Sequence, residues 1–257
     1  MIPLSDENPT IRTPVMTWIL LGTMFAVWFA VQGGGLDQLA LIKSICNYGM
    51  VPGELTHRAP IGSGIEIADG IACVIDNDPI NKWTPLFSMF LHGGWGHILG
   101  NAIYFWTFGN NIEDSMGPMR FLVFYLLCGL IAAAAHVLAQ PASPVPTVGA
   151  SGAISGVLGA YLVLYPRVRV NMLIPPIFFR TFAIRAWIVL IWWFGMQALS
   201  AYLSPLNPDV NNGVAVWAHI GGFVAGMVLI KVFENPKLVT QRNAIRDERL
   251  WAESRRV

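Results

Sequence analysis

Residues 147–165 read TVGASGAISGVLGAYLVLY, an apolar run interrupted only by small and hydroxyl-bearing residues. From residue 149 onward, the run approaches the ~20 apolar residues that a helix needs to cross a bilayer. Small residues at four-residue spacing are typical of membrane helices that pack closely against a neighbour. The run therefore predicts a transmembrane helix that contacts another helix near its start.

Ser151 in this run can be a packing residue or a nucleophile. In the first interpretation, it is one small residue among several at a helix–helix contact. In the second, Ala150 and Gly152 leave its hydroxyl clear for attack on a substrate. Small residues are common in membrane helices, so the run by itself favours packing, and the rest of the sequence has to decide.

The composition indicates a membrane protein. The chain has 257 residues, of which 54% are hydrophobic and 12% are charged. A soluble domain carries about 25% charged residues, so this chain has too few charges to cover a water-facing surface. The net charge of +1 and the lack of a basic face argue against nucleic acid as a partner. We therefore expect an all-α integral membrane protein in contact with a lipid bilayer.

Six apolar runs are long enough to be spanning helices, because backbone groups in hydrocarbon must bond within their own segment. The runs cover residues 15–32, 95–112, 120–139, 149–165, 186–203 and 214–231. We interpret the first run as a retained span, since no convincing signal-peptide cleavage site follows it. The sequence thus predicts a six-helix membrane domain at 15–233, preceded by a segment at 1–14 and followed by a basic tail at 234–257.

Lysine and arginine fall mostly on one side of this arrangement. Of the 16 such residues, 13 lie on the side of the N-terminus and three lie in the long first loop at 33–94. The positive-inside rule then makes both termini cytoplasmic and the first loop external. The tail at 234–257 becomes either a helix near anionic lipid or a solvated segment. Cys46 and Cys73 share the outer loop and can pair in an oxidising compartment, which their spacing does not decide.

Polar side chains inside the spans indicate where chemistry can occur. Ser151 and His219 both lie in the outer third of the bilayer, where they can form the nucleophile–base pair of acyl transfer. His97 and Asn101 are four residues apart, share one helix face, and can donate hydrogen bonds to an oxyanion. The spans offer no carboxylate at this depth to complete a three-membered triad.

Metal binding is the competing use of the histidines. His92 and His97 are five residues apart, and Gly93 follows His92 where the zinc motif HExxH has glutamate. Neither a cysteine nor a carboxylate accompanies them as a further ligand. We therefore predict a site without a metal.

These residues resemble the rhomboid family of intramembrane serine proteases. Three segments carry the resemblance: HGGWGHILGN at 92–101, GASG at 149–152 and AHIGGFVAG at 218–226. The three are specific together and in this order, whereas each is weak alone. The resemblance covers the chain from about Trp83 to Ile230. It implies a six-transmembrane-helix rhomboid-like bundle with a long outer first loop.

The resemblance also implies the role of each residue. Ser151 is the nucleophile and His219 is its general base, so the enzyme works with a Ser–His dyad. His97, Asn101 and the backbone N–H of Ser151 form the oxyanion hole. The supporting positions are His92, Gly149, Gly152, Gly222 and Gly226. The family uses no cofactor, and its substrates are single-span membrane proteins that are cut in or near the membrane.

With the orientation from the charge distribution, we expect a multi-pass protein of a bacterial inner membrane, with a site that opens to the periplasmic side. Substrate would reach this site beside the fifth span and the loop at about 204–213. Two other classes stay open: an inactive rhomboid-like protein that binds transmembrane helices, and a transporter. An inactive binder should lack Ser151 or His219, and a transporter should show inverted repeats, which we do not find. The oligomeric state is not fixed by the sequence.

Two positions depart from the family pattern. Trp83 is followed by Thr84, where many members have Trp–Arg. Ser155 stands one turn after Ser151, where an aromatic residue often packs on the catalytic histidine. The second departure leaves open which group orients His219.

Overall fold

The computed structural model describes residues 2–68, 70–174, 180–203 and 215–254. Its helices are α1 (Val15–Ala30), α2 (Gln38–Tyr48), α3 (Pro52–Leu55), α4 (Thr84–Phe87), α5 (Trp95–Met116), α6 (Pro118–Ala139), α7 (Ser151–Leu164), α8 (Ala186–Leu203), α9 (Val216–Phe233) and α10 (Pro236–Ser254). Its strands are β1 (Ile2–Asp6), β2 (Gly64–Ala68), β3 (Ile71–Val74), β4 (Arg169–Leu173) and β5 (Thr181–Arg185). Most of the described chain is therefore helical.

Each of the six apolar runs contains a helix. In the described part of the chain, α6, α8 and α9 are long and apolar enough to cross a membrane, and α1 and α7 are apolar but shorter. Helix α5 has 22 residues, and its asparagines, glycines and two acids make it less apolar. The protein is an integral membrane protein with a mostly helical fold.

The expectation of an all-α protein was wrong in one respect, because two small antiparallel sheets are present. One has the strand order β1-β4-β5, and the other is the β2–β3 hairpin in the first loop. In β4, the buried Val170 and Met172 alternate with the more exposed Arg169 and Asn171. This alternation is the usual signature of a half-buried strand, but it is too short to register in a search for long apolar runs.

Helix α7 lies at the centre of the bundle, since ten of its 14 residues are buried. Its closest neighbour is α9. A Cβ atom on Gly222 would overlap the carbonyl oxygen of Gly152, and one on Gly226 would overlap that of Gly156. The glycines therefore allow the two backbones to touch, as small residues do at membrane helix contacts. This contact fixes the start of α9 beside the start of α7.

Two buried carboxylates at the C-terminal end of α5 bind the start of α1 and the helix α10. Glu113 accepts hydrogen bonds from the backbone N–H groups of Met16 at 2.9 Å and Thr17 at 2.7 Å. These bonds satisfy donors that the first turn of α1 leaves free. Asp114 pairs with Arg242 of α10 at 2.7 Å, and the Arg242 side chain is 1% exposed. The tail forms helix α10, which contacts α5 through Arg242, whereas its expected position near anionic lipid stays a prediction.

The first loop is held together by a disulfide between Cys46 on α2 and Cys73 on β3. The pairing that the sequence left undecided is thus formed, with a Cα–Cα distance of 5.0 Å. The two cysteines are 27 residues apart in the chain. Closing a loop of this length removes conformational freedom from the unfolded chain, which stabilises the fold by about 3–4 kcal/mol.

Candidate active site

The turn before α7 places Ser151 as the first residue of that helix. Gly149 has a φ of +129°, which a residue with a side chain rarely adopts. A Cβ atom there would also lie 2.7 Å from Nε2 of His97. The Gly149 N–H donates to the Ser88 carbonyl oxygen at 2.8 Å, which fixes the turn. The glycine thus allows Ser151 and His97 to lie side by side.

His219 lies in the first turn of α9 and is 8% exposed. Its Nε2 is 2.7 Å from the Ser151 hydroxyl, and its Nδ1 is 3.0 Å from Oε1 of Gln197. An amide oxygen only accepts hydrogen bonds, whereas a hydroxyl can donate one. The tautomer with its proton on Nδ1 therefore satisfies both contacts and leaves Nε2 able to take the serine proton.

Two residues that contact His219 were missed in the sequence analysis, and both lie on α8. The ring centroid of Trp193 is 5.7 Å from that of His219, and Gln197 follows one turn later. Ser155 stands where an aromatic residue often packs on the catalytic histidine of a rhomboid. Here its hydroxyl donates to the backbone oxygen of Ser151 at 2.6 Å. Asn101 was found because His97 lies four residues before it, whereas no ionisable residue stands at that spacing from Gln197.

His97 is held on both sides. Its Nδ1 accepts a hydrogen bond from the N–H of Gly93 at 3.3 Å, which leaves the ring proton on Nε2, the atom next to Gly149. The ring of His92 packs edge-on against it, with centroids 5.2 Å apart. The Gln32 amide accepts from the His92 N–H and donates to the His92 carbonyl, both at 2.8 Å. His92 is thus held beside His97, and its supporting role stays a prediction.

Asn101 lies one turn after His97 on α5 and is 8% exposed. Its Nδ2 is buried, and it has no hydrogen-bond partner among the residues that the structure describes. A buried donor without a partner costs free energy unless a ligand supplies an acceptor. The side chain of Asn101 is thus available to bind an oxygen atom in the site.

The two histidines His97 and His219, together with Ser151 and Asn101, line one cavity of about 670 Å³. The structure therefore brings Ser151, His219, His97 and Asn101 together, as the sequence predicts. Further wall residues are Gly96, Gly100, Tyr104, Ile154, Leu158 and Trp193. Gly152, Gly222 and Gly226 lie at the α7–α9 contact that positions the serine and the histidine.

Two expectations about the surroundings of the cavity are not tested. The loop at 204–213, where substrate is expected to be admitted, lies outside the described residues. Within the described ranges, His, Cys, Asp and Glu side chains form no group of three or more that could hold a metal ion. A reaction without metal or cofactor stays a prediction.

Comparison with known families places the chain. A sequence model of the Rhomboid domain matches residues 80–235, which is more than half of the 257 residues. The chain belongs to the rhomboid family. The resemblance found in the sequence is thereby confirmed, and the match includes every residue of the proposed site in this rhomboid.

Several named members of the family are similar to this chain. Rhomboid protease GluP of Bacillus subtilis is 32% identical over 155 residues, which are 60% of this chain and 27% of GluP. RHOMBOID-like protein 5 of Arabidopsis thaliana is 30% identical over 148 residues, 58% of this chain and 43% of the relative. The mitochondrial presenilin-associated rhomboid-like protein of Bos taurus is 32% identical over 95 residues, 36% and 25% of the two chains. The matched part is less than half of each relative, and family membership does not fix the membrane in which this rhomboid resides.

Proposed function

We propose that this rhomboid is an intramembrane serine endopeptidase, which hydrolyses peptide bonds in or near the transmembrane segment of single-span membrane proteins. The contact of 2.7 Å between Ser151 Oγ and His219 Nε2 is the observation that carries the proposal. Similarity to a rhomboid protease, GluP, supports it. The serine and the histidine supply the nucleophile and the base, so the reaction requires neither metal nor cofactor.

The first half of the reaction forms an acyl-enzyme. Ser151 Oγ attacks the scissile carbonyl carbon while His219 Nε2 takes the hydroxyl proton. The carbonyl oxygen becomes an oxyanion, which accepts hydrogen bonds from Asn101 Nδ2 and from the Nε2–H of His97. The Ser151 N–H adds a third donor, because an N–H in the first turn of a helix has no partner within the helix.

Collapse of this intermediate breaks the carbon–nitrogen bond, and the histidine gives its proton to the departing amine. The N-terminal part of the substrate is then bound to Ser151 as an ester. Water in the cavity loses a proton to His219 and attacks the ester carbonyl. The ester bond breaks, His219 gives this proton to the serine oxygen, and the product leaves as a carboxylic acid that ionises in water.

We also propose the topology of a six-span protein of a bacterial inner membrane, with cytoplasmic termini and a site that opens to the periplasm. The positive-inside distribution of lysine and arginine supports this orientation. The disulfide between Cys46 and Cys73 supports it independently, because disulfides persist in oxidising compartments. Both cysteines belong to the loop at 33–94, which the proposal places outside the cytoplasm.

Cysteine labelling in whole cells tests the orientation. After replacement of Cys46 and Cys73 by serine, Ser63→Cys in the first loop should react with a membrane-impermeant thiol reagent. Asp247→Cys on α10 is the matched position at the other end, where the Asp247 side chain is 68% exposed, and it should react only after lysis. The reverse pattern would place the site on the cytoplasmic side.

The oxyanion donors can be tested by kinetics in proteoliposomes with a single-span substrate. Asn101→Ala should lower kcat by about 10²–10³-fold, or about 2.7–4 kcal/mol, with little change in KM, because the donor acts on charge that develops in the transition state. His97→Ala should be at least as slow, since it removes ring packing as well. Asn110→Ala makes the same truncation further along α5 and should cleave at the wild-type rate.

Wild-type rates in both donor variants, with the fold retained, would show that Asn101 and His97 are packing groups. The oxyanion hole would then consist of backbone N–H groups alone. The function as a whole is tested by purified protein, a panel of single-span substrates and a fluorophosphonate probe. Failure to cleave any substrate and failure to label would favour the inactive helix-binding protein.

A further inference from the structure

Gln197 is an amide in a helix whose other side chains are apolar, apart from the hydroxyls of Ser200 and Tyr202 near its end. On α8, Val189 and Leu190 are buried, whereas Ile191 and Met196 are about half exposed. Gln197 is partly buried and lies on the inner face, one turn after Trp193. A polar group at such a position costs free energy unless it finds a partner. Its partner here is Nδ1 of His219 at 3.0 Å.

The contact decides which nitrogen of His219 carries the proton. A neutral imidazole has one donor and one acceptor nitrogen, so the group opposite Nδ1 selects the tautomer. The oxygen of Gln197 accepts from Nδ1–H and leaves the lone pair of Nε2 facing Ser151. With the other tautomer, Nε2 would carry a hydrogen and could not receive the serine proton.

We propose that Gln197 is a positioning residue for the Ser151–His219 pair, a proposal that rests on the function proposed above. Its oxygen holds the histidine in the reactive tautomer and bonds the imidazolium that forms when the serine proton is transferred. Trp193 confines the ring from the same helix, with centroids 5.7 Å apart. The orientation of the base therefore comes from α8, a helix other than those of the nucleophile and the base. Gln197 and Trp193 are thus the groups that orient His219, which the serine at position 155 left open in the sequence.

A purely structural role and a positioning role of Gln197 predict opposite rankings of methionine and glutamate as replacements. If the side chain only fills space in an apolar helix, methionine is the better replacement, because it has a similar length and no polar atoms to desolvate. Glutamate would be the worse replacement, because it adds a carboxyl group to a membrane helix. If the oxygen orients His219, the ranking reverses, since glutamate keeps an acceptor and methionine has none.

Kinetics of Gln197→Met and Gln197→Glu with a single-span substrate test the proposal. Gln197→Met should lower kcat by about 10- to 100-fold with KM within about twofold, and the rate of fluorophosphonate labelling should fall by the same factor. This is less than the ~10⁴-fold loss seen when an orienting carboxylate is replaced, because the group here is neutral. Gln197→Glu should keep more activity than Gln197→Met. Met196→Glu adds the same carboxylate at an exposed position and controls for its effect on folding.

Thermal unfolding of each variant separates loss of fold from loss of orientation. A folded Gln197→Met with the wild-type kcat overturns the proposal, even if Gln197→Glu does not fold. Higher activity in Gln197→Met than in a folded Gln197→Glu overturns it as well, while the protease itself stands. A wild-type protein that neither cleaves nor labels would instead overturn the proposed function and this inference together.

Discussion

Ser151→Ala should abolish fluorophosphonate labelling and lower kcat by about 10⁶-fold, the scale on which serine proteases lose activity without their nucleophile. The fold should survive, because alanine is favourable in a helix and the change removes one oxygen atom. His219→Ala should approach the same loss, since the serine hydroxyl at 2.7 Å would have no base to take its proton. Labelling is measured on a gel, and cleavage is measured with a single-span substrate. Thermal unfolding in detergent measures the stability of each variant.

The matched control for this prediction is Ser115→Ala. Ser115 is a buried serine at the far end of α5, and its hydroxyl donates to the backbone oxygen of Ile112. Its replacement removes the same atom away from the cavity and should leave labelling unchanged. Labelling that persists in Ser151→Ala would mean that another residue is the nucleophile, and the assignment would fail.

Gly226→Val should destabilise the protein by about 4 kcal/mol or more, which is exceptional for one substitution. A Cβ atom at this position would overlap the carbonyl oxygen of Gly156, so α7 and α9 would have to separate. The Cβ is fixed to its own backbone and the oxygen belongs to the other backbone, so neither atom can move aside as the end of a flexible side chain can. Separation of these helices would also pull His219 away from Ser151, so activity should be lost together with stability.

Gly22→Val on α1 is the control, because a Cβ atom there meets nothing within 4 Å. It should change the unfolding temperature in detergent little, since it adds the same side chain to a membrane helix without a clash. Equal unfolding temperatures for Gly226→Val and Gly22→Val would show that the close contact of α7 and α9 is not required for the fold.

The sequence predicted the parts of this protein that depend on one helix at a time. Hydropathy reports the surroundings of a segment, so it located the apolar runs, and four-residue spacing placed His97 and Asn101 on one face. Contacts between helices depend on how each is rotated and tilted against its neighbours. The approach of Gln197 to His219 is such a contact, and nothing in the spacing of α8 indicates it.

The missed pairing of β1 with β4 and the undecided disulfide have a related origin. The partner of β1 lies more than 160 residues further along the chain, in β4. The pairing of Cys46 with Cys73 depends on how α2 and β3 come together in the first loop. Both are long-range events in segments with little hydropathy signal, so a search by composition and local period does not find them.

The two buried carboxylates at the C-terminal end of α5 affect which helices unfold together. The family match at 80–235 contains Glu113 and Asp114, but it includes neither Thr17 nor Arg242, which bind them. A chain confined to the matched residues would bury two carboxylates without these partners, and breaking a buried ion pair costs about 3–5 kcal/mol. The boundaries of the family match are therefore not the boundaries of the unit that unfolds cooperatively: we expect α1 and α10 to unfold together with the helices of the matched region.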